Sequence, residues 1–440
     1  WYTYSNMRIL FLSPTLGDAY GQERIVRDTN TLLRSNGHQT FFLADHLVGA
    51  LPPCDASFTL PGLSEINSVS SPWKVFQTKK KLKQILREID PDVIHLIDQF
   101  DARIMRLVSR LYPSLLTAHT VAPTCPSSQR FFPNGGGVCQ FKSGWSCLKV
   151  HHQEGCLGHF KSVFHRAHAL FEFKRKKQAL KSFPVIGAIS PYMERCLKSD
   201  GYSEDQILPV YNPVLVKTQA VLPLNPAPEN LLVVASRLVT LKGIGSLLLC
   251  LNHLRDLSWT CWIFGDGPQR EELQALTAKL NLTQRVLFKG KTGSLDIQRA
   301  LLSAKALIQP NRGPEGFGMA AAEASALGVP VLGYDVPALN DLIASGENGL
   351  LVPLHPETGL SEIIREVLEK PELSKRLGEN GPKKMERLFS PSQHLQQTMR
   401  AYLKCQEGFL ELRSKPNGLK QFFQLSFVLT KLLGSDRSRQ

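Results

Sequence analysis

The sequence predicts an α/β protein of two domains, each a parallel sheet covered by helices. Three observations predict it. Short apolar runs alternate with helical patterns from Met7 onward, as expected of strands joined by helical crossovers. The 440 residues exceed what one hydrophobic core usually supports. A Pro-rich stretch, Lys217 to Glu229, then divides the alternation in two. The expected layout is a first domain over 7–216, a linker over 217–229, a second domain over 230–390, and C-terminal helices and tail over 391–440.

In chain order, MRILFLSP is the first strand, and a helix from about Gly21 to Ser35 is stopped by Asn36-Gly37 before the strand HQTFFLA. Leu60 to Ser71 reads as loop. The helix after it, about Trp73 to Ile89, carries Lys79, Lys80, Lys81 and Lys83, which read as a solvated face. DVIHLI (Asp92 to Ile97) and SLLTAHT (Ser114 to Thr120) are the next strands. The second of them ends on His119, at the carboxyl edge where open α/β sheets bind ligands. His95, mid-strand, reads as a core or cleft-wall histidine.

Residues 121–158 break the pattern. They are rich in Gly, Pro and Ser and hold Cys125, Cys139, Cys147 and Cys156. A long irregular insertion in a compact domain is usually functional. With His151, His152 and His159 nearby, the cysteines allow a structural zinc or iron–sulfur site. Their gaps of 13, 7 and 8 residues lack the short Cys-x-x-Cys bite, so buried or redox-active thiols come ahead of a metal. From Gly158 to Phe183 a basic amphipathic helix is expected, with Phe160, Val163, Phe164, Ala167, Leu170 and Phe171 interleaved with Lys161, Arg166, Lys174, Arg175, Lys176, Lys177 and Lys181. Such a helix either lies on anionic lipid or packs on a core with its basic face in water, and both readings stay open. The strand VIGAISP, a short helix from Pro191 and ILPVYNPV close the first domain.

The second domain opens with NLLVVASRL. The loop after it, Ser236 to Gly243, places Arg237 and Lys242 at the strand's carboxyl end, where a planar fork and a point charge can share a diphosphate. SWTCWIFGDGP runs into the turn Gly265-Asp266-Gly267-Pro268, and RVLFKG (Arg285 to Gly290) leads to Lys291 and Thr292. The most informative stretch is Asn311 to Gly328, NRGPEGFGMAAAEASALG. It follows a short buried strand, Ala306 to Pro310, with a Gly-rich turn and a helix beginning near Phe317. A helix N-terminus behind such a turn offers free N–H groups to an anion. Glu315 and Glu323 bracket seven small or apolar residues there; acids beside a phosphate pocket suit the hydroxyls of a sugar and a ribose.

Composition narrows the partners. No run of 18 apolar residues indicates a spanning helix, and MRILFL lacks a secretory pattern; Met7 reads as the natural start. Of the net charge of +14, residues 101–200 carry +10, from 15 Lys/Arg against 5 Asp/Glu. An anionic membrane surface or a phosphorylated acceptor fits this charge. Nucleic acid is not expected, because no recognition helix, zinc finger or stacking platform accompanies it.

Glu315 and Glu323 at this spacing, with Gly316-Phe317-Gly318 between them and ASALGVP after, resemble the signature of the family 4 retaining nucleotide-sugar glycosyltransferases. The resemblance covers nearly the whole chain, most strongly 230–353. It implies the GT-B fold: two Rossmann-like doubly wound domains facing a cleft, with a C-terminal helix crossing back to the first. It also implies transfer of a glycosyl unit from a nucleoside-diphosphate sugar to a glycan, lipid-linked or small-molecule acceptor, with retention and no required metal or other cofactor. By resemblance, Arg237 and Lys242 hold the pyrophosphate, and Glu315 holds the sugar hydroxyls with the backbone N–H groups of Phe317, Gly318 and Met319. Glu323 takes the ribose, His119 the sugar, the backbone near Lys291 the nucleobase, and the loop at Gly21 approaches the donor phosphates. Two departures stand out: Tyr20 replaces the first Gly of the family's Gly-Gly-x-Glu loop, and Asp335-Val336 with Asp341 replaces a Gly-Gly and acid. The expected location is cytoplasmic, peripheral on the inner face of a membrane. Competing readings are an epimerase or hydrolase on the same fold, and a non-catalytic membrane-docking or assembly module.

Overall fold

The computed structural model describes residues 6–17, 21–66, 69–98, 100–132, 137–144, 146–156, 162–216, 222–355 and 358–414. Tyr20, most of the 217–229 linker's first half and the segment Leu419 to Leu433 lie outside them.

The first sheet consists of β1 (Arg8–Gly17), β2 (Gln39–Val48), β3 (Ala56–Thr59), β4 (Val93–Ile97), β5 (Ser114–Ala118), and, after a small hairpin of β6 (Phe131–Phe132) and β7 (Gly137–Val138), β8 (Val185–Ala188) and β9 (Ile207–Pro209). Its order is β3-β2-β1-β4-β5-β8-β9, with every pairing parallel. The second sheet takes β10 (Leu231–Ala235), β11 (Thr260–Phe264), β12 (Val286–Gly290), β13 (Ala306–Gln309), β14 (Val331–Tyr334) and β15 (Gly349–Val352), in the order β12-β11-β10-β13-β14-β15, again all parallel. Strands such as β4 and β5 are buried along their whole length, which explains why VIHLI and SLLTA do not alternate with polar residues. In each sheet the chain reverses its direction of travel once, between β1 and β4 and between β10 and β13. Those switch points open crevices at the carboxyl ends of the strands.

Helices α1 (Gly21–Ser35), α2 (Pro72–Ile89), α3 (Ala102–Leu111), α4 (Ser146–Glu154), α5 (Val163–Leu180) and α6 (Pro191–Ser199) belong to the first half of the chain. The second half contributes α7 (Ile244–Asn252), α8 (Arg270–Lys279), α9 (Ser294–Leu302), α10 (Met319–Ala326), α11 (Leu339–Leu342), α12 (Thr358–Glu369), α13 (Pro371–Phe389) and α14 (Pro391–Ser414). Capping sets several starts: Ser71, Asp101, Ser162 and Ser190 each accept from a backbone N–H of the first turn. The last helix, α14, leaves the second sheet and packs on the first, against β4, β5, β8, β9 and α1. Met399, Ala401, Tyr402 and Cys405 of α14 share a core with Ile9, Phe11, Val93 and Leu115. The expected crossing-back helix is present.

Two expectations need correction. The 121–158 insertion is not one long loop: it folds the β6–β7 hairpin and α4, and Phe131 reaches the second domain, where a Cβ on Gly313 would come within 2.9 Å of its ring. The helix expected over 158–183 spans Val163–Leu180 and does not segregate its faces. Phe164 and Phe171 are 87% and 56% exposed, whereas Leu170, Phe173, Ala179 and Leu180 are buried. Part of its charge is consumed internally, since Arg175 pairs with Glu172 at 2.9 Å and Lys177 with Asp200 at 2.5 Å.

Candidate active site

The loops leaving β10 and β13 meet at the second sheet's switch point. Gly243 makes this possible: its φ is 66°, and a Cβ there would stand 2.0 Å from the Pro310 carbonyl oxygen. Arg312 N–H donates to the Leu241 carbonyl at 3.0 Å, which zips the two loops together. Lys242 and Glu315, 73 positions apart, consequently form a short ion pair. The same carboxylate oxygen accepts from Gln309 at 3.1 Å and from Asn311. Burial pushes the Glu315 pKa up, but the Lys242 charge and these hydrogen bonds outweigh it and hold the group below its usual value. Glu315 is therefore an ionised, fixed acceptor. Gly318 follows it in the left-handed region at φ 97° and starts α10, so the first N–H groups of that helix face the same turn. The Phe317 ring turns away, buried edge-on against Phe389 at 5.1 Å, leaving its backbone to the site.

The first domain closes over this turn. A Cβ on Gly316 would come 2.5 Å from the His119 carbonyl oxygen, and Ser190 donates its hydroxyl to the Gly316 carbonyl at 2.6 Å. His119 lies one residue beyond β5, its backbone N–H donated to Asp98 at 3.0 Å and its Nε2 paired with Thr117 Oγ1 at 3.1 Å. Burial, with a smaller repulsion from His394, lowers the His119 pKa to about 3, so the ring is neutral. Asp98, also at the carboxyl edge, is pushed up to about 6 by burial, against hydrogen bonds from His119 and Thr120 that favour its ionised form. His95 is a core histidine, as one of its two readings had it.

Models of "Glycosyltransferase Family 4" and "Glycosyl transferases group 1" match residues 19–217 and 221–384, which together include His119, Arg237, Lys242, Glu315 and Glu323. The chain belongs to glycosyltransferase family 4. Among its relatives are an uncharacterized glycosyltransferase of Methanocaldococcus jannaschii, 28% identical over 49% of this chain and 58% of that one. Another is the D-inositol 3-phosphate glycosyltransferase of Streptomyces avermitilis, 34% identical over 26% of this chain and 25% of that one. The lipopolysaccharide core biosynthesis glycosyltransferase LpsD of Rhizobium meliloti is 28% identical over 38% and 47%. The chain thus spans between a quarter and three fifths of these relatives' length. Two solved structures share the GT-B fold. A glycosyltransferase from Rickettsia africae has a TM-score of 0.66 at 15% identity, covering 91% of this chain and 99% of that one. HepE of Anabaena, solved with UDP and glucose, has a TM-score of 0.65 at 18% identity, covering 90% and 99%.

Within this family 4 chain the expected site residues divide into three groups. Lys242, Glu315, Gly318, Met319 and the Phe317 backbone converge on one turn, and His119 overhangs it through Gly316. Arg237 and Lys291 are exposed at the carboxyl ends of β10 and β12, and Gly21 opens α1 with free space where a Cβ would be. Glu323 differs. Its carboxylate is buried and accepts from Arg24 of α1 at 2.5 Å, while the same guanidinium donates to the Leu215 carbonyl at 3.1 Å. Burial raises the Glu323 pKa, the Arg24 charge opposing and Asp28 assisting. Asp341, one of the departures from the family pattern, is bonded across the cleft by Arg195 at 2.7 Å.

Spacing missed Arg24, Gln309 and Asn311. A Gln and an Asn at the end of the buried run ALIQPN were the available signal, because amides buried there need partners. Among the described residues no group of three or more His, Cys, Asp or Glu is arranged to hold an ion, and Cys125, Cys139, Cys147 and Cys156 are free, half-buried thiols. Burial raises the pKa of Cys139, Cys147 and Cys156, and neighbouring cysteines add to it, so these sulfurs stay protonated.

Proposed function

We propose that this chain transfers a sugar from a nucleoside-diphosphate sugar to a glycan, lipid-linked or small-molecule acceptor, with retention at the anomeric carbon. The observation that carries the reading is the Lys242–Glu315 pair at the mouth of the second sheet, directly under His119. Lys242 and Arg237 hold the pyrophosphate and stabilise the departing nucleotide, aided by the free N–H groups at the start of α10. This charge set acts without a metal or other cofactor. Glu315, already locked as an acceptor, takes the sugar hydroxyls with the N–H groups of Phe317, Gly318 and Met319, and His119 fixes the sugar from above. Glu323 takes the ribose by exchanging its bond to Arg24, and the backbone near Lys291 cradles the base. No nucleophile follows from the sequence spacing, and the reaction runs on one face, the leaving phosphate taking the acceptor proton. The UDP complexes of HepE make uridine donors the first to try.

The test is a panel of nucleotide sugars incubated with and without acceptor extract. Donor consumption with an anomerically retained product supports the reading. An epimer or free sugar with no acceptor product assigns the epimerase or hydrolase activity instead, and absence of nucleotide binding leaves a non-catalytic module.

An anionic membrane surface is the proposed acceptor platform, on the inner face of the membrane. Among the described residues no helix is long and apolar enough to cross one. Trp73 and Phe76 at the start of α2 are 69% and 58% exposed and stack at 6.0 Å, beside exposed Lys80 and Lys81. On α5, Phe164, Phe171 and Lys174 form a second exposed stripe. Flotation with vesicles is expected to show binding only with anionic lipid, lost in Trp73→Ala/Phe76→Ala; equal flotation with neutral lipid rejects it.

A further inference from the structure

We propose that Tyr402, on the helix that crosses back from the second domain, sets the tautomer of His119 through a buried hydrogen-bonded chain, Tyr402–His95–Thr117–His119. The inference rests on the reading of His119 as the residue that fixes the sugar, and makes Tyr402 a positioning residue for it.

The chain is continuous, and buried up to its half-buried end at His119. Tyr402 Oη lies 2.8 Å from His95 Nδ1, His95 Nε2 lies 3.0 Å from Thr117 Oγ1, and Thr117 Oγ1 lies 3.1 Å from His119 Nε2. Tyr402, His95 and Thr117 are all buried. Packing fixes each link. The His95 ring is held between Phe11 at 5.3 Å and an edge-on Tyr402 at 5.6 Å. The Thr117 methyl sits over Gly187 of β8, where a Cβ would come within 2.8 Å, and this seat aims the hydroxyl. One turn beyond Tyr402, the Cys405 thiol donates to the Ser114 carbonyl at 3.3 Å and pins α14 to β5.

Proton counting then gives the chain a direction. Burial holds the Tyr402 hydroxyl well above its usual pKa and both histidines below theirs, so Tyr402 keeps its proton and each imidazole carries one N–H. Among the described residues, His95 Nδ1 is the acceptor within reach of Tyr402. Tyr402 donates to it, because the opposite arrangement buries an O–H with no acceptor. His95 therefore carries its proton on Nε2 and donates to Thr117, and Thr117 donates to His119 Nε2. The His119 proton is left on Nδ1. His119 thus presents an N–H donor to a sugar oxygen, and in this tautomer Nδ1 cannot take the acceptor's proton. Sequence spacing hides the arrangement, since Tyr402 and His95 are 307 positions apart.

The experiment uses the whole chain labelled with ¹⁵N-histidine. Long-range ¹H–¹⁵N spectra without substrate report which ring nitrogen of His119 is protonated, its signal assigned by loss in His119→Asn. The expected result is an Nδ1–H pattern in the wild type that becomes mixed or reversed in both Tyr402→Phe and Thr117→Val. With an active donor, kcat/KM is expected to fall about tenfold in each variant, and no further in the double variant. An Nε2–H pattern in the wild type, or an unchanged pattern in Tyr402→Phe, overturns the proposal. A tautomer shift as expected in a protein that consumes no nucleotide sugar leaves the relay standing and removes the glycosyltransferase reading instead.

Discussion

Replacing Lys242 by Met tests the centre of the site, because Met keeps the stem and removes only the charge. In the wild type Lys242 and Glu315 are 15% and 17% exposed, and among the described residues Lys242 is the one cation bonded to a carboxylate that also has two amide donors. Removing one partner of a buried pair costs about 3–5 kcal/mol; with the amides retained and some solvent access, about 2–3 kcal/mol is expected at pH 7. The sign follows from Glu315. Its folded pKa is depressed, so its stabilisation is present above the unfolded value of 4.5 and is lost as pH falls through the folded value. In Lys242→Met burial is no longer outweighed, the folded pKa rises, and the variant's deficit shrinks as pH falls towards 4.5. Urea unfolding of both proteins at pH 7.5 and pH 5 measures this. Lys242→Met/Glu315→Gln should recover most of the loss, and nucleotide-sugar turnover of Lys242→Met should fall by about 10²–10³. A double-mutant coupling near zero, with a deficit independent of pH, would refute the reasoning.

Three further outcomes are expected. Arg24→Ala leaves Glu323 buried without its cation and should cost about 2 kcal/mol at pH 8 and less at pH 5, read by the same unfolding assay. Gly316→Ala places a methyl 2.5 Å from the His119 carbonyl oxygen, so the domains must part; kcat/KM should drop at least tenfold, while nucleotide affinity by calorimetry changes little. His394 is held neutral, its pKa lowered to about 4 by burial, and its Nδ1 lies 2.7 Å from the Tyr211 carbonyl. Its stabilisation is full above the unfolded value of 6.5 and is lost as pH falls towards 4. His394→Gln should therefore reduce the slope of stability against pH in that window by about 1.4 kcal/mol per unit, one proton's worth.

Strands β1, β2, β4, β5, β8 and β10 to β13, with α1, were legible because their signals are local: apolar runs, a Gly stop, a buried carboxyl edge. His119, Arg237, Lys242 and Glu315 stood out in the sequence because each lies in the stretch that follows an apolar strand run, where open α/β sheets place ligands. The partners of Glu323 did not. Arg24 lies 299 positions away, and no periodicity encodes a contact between two domains. Helix α13 shows a different effect. Gly378, Gly381 and Pro382 lie inside it, and the glycines are where α13 crosses α10, a Cβ on Gly381 falling 2.3 Å from the Ser325 carbonyl and one on Gly378 falling 2.1 Å from that of Gly328. Close helix approach selected residues that weaken the helix signal.

The docking of α14 on the first sheet also sets a timetable for synthesis. The first seven-stranded sheet is complete at Pro209, but the helix whose Tyr402, Met399 and Cys405 seal its core begins at Pro391, 182 residues later. At about 5–20 residues per second a ribosome takes roughly 10–40 s to make that stretch, far longer than a sheet needs to collapse. During that interval the nascent first domain carries an open apolar face and His95 without its tyrosine. Chains released before residue 391 should therefore be the ones that aggregate through that face.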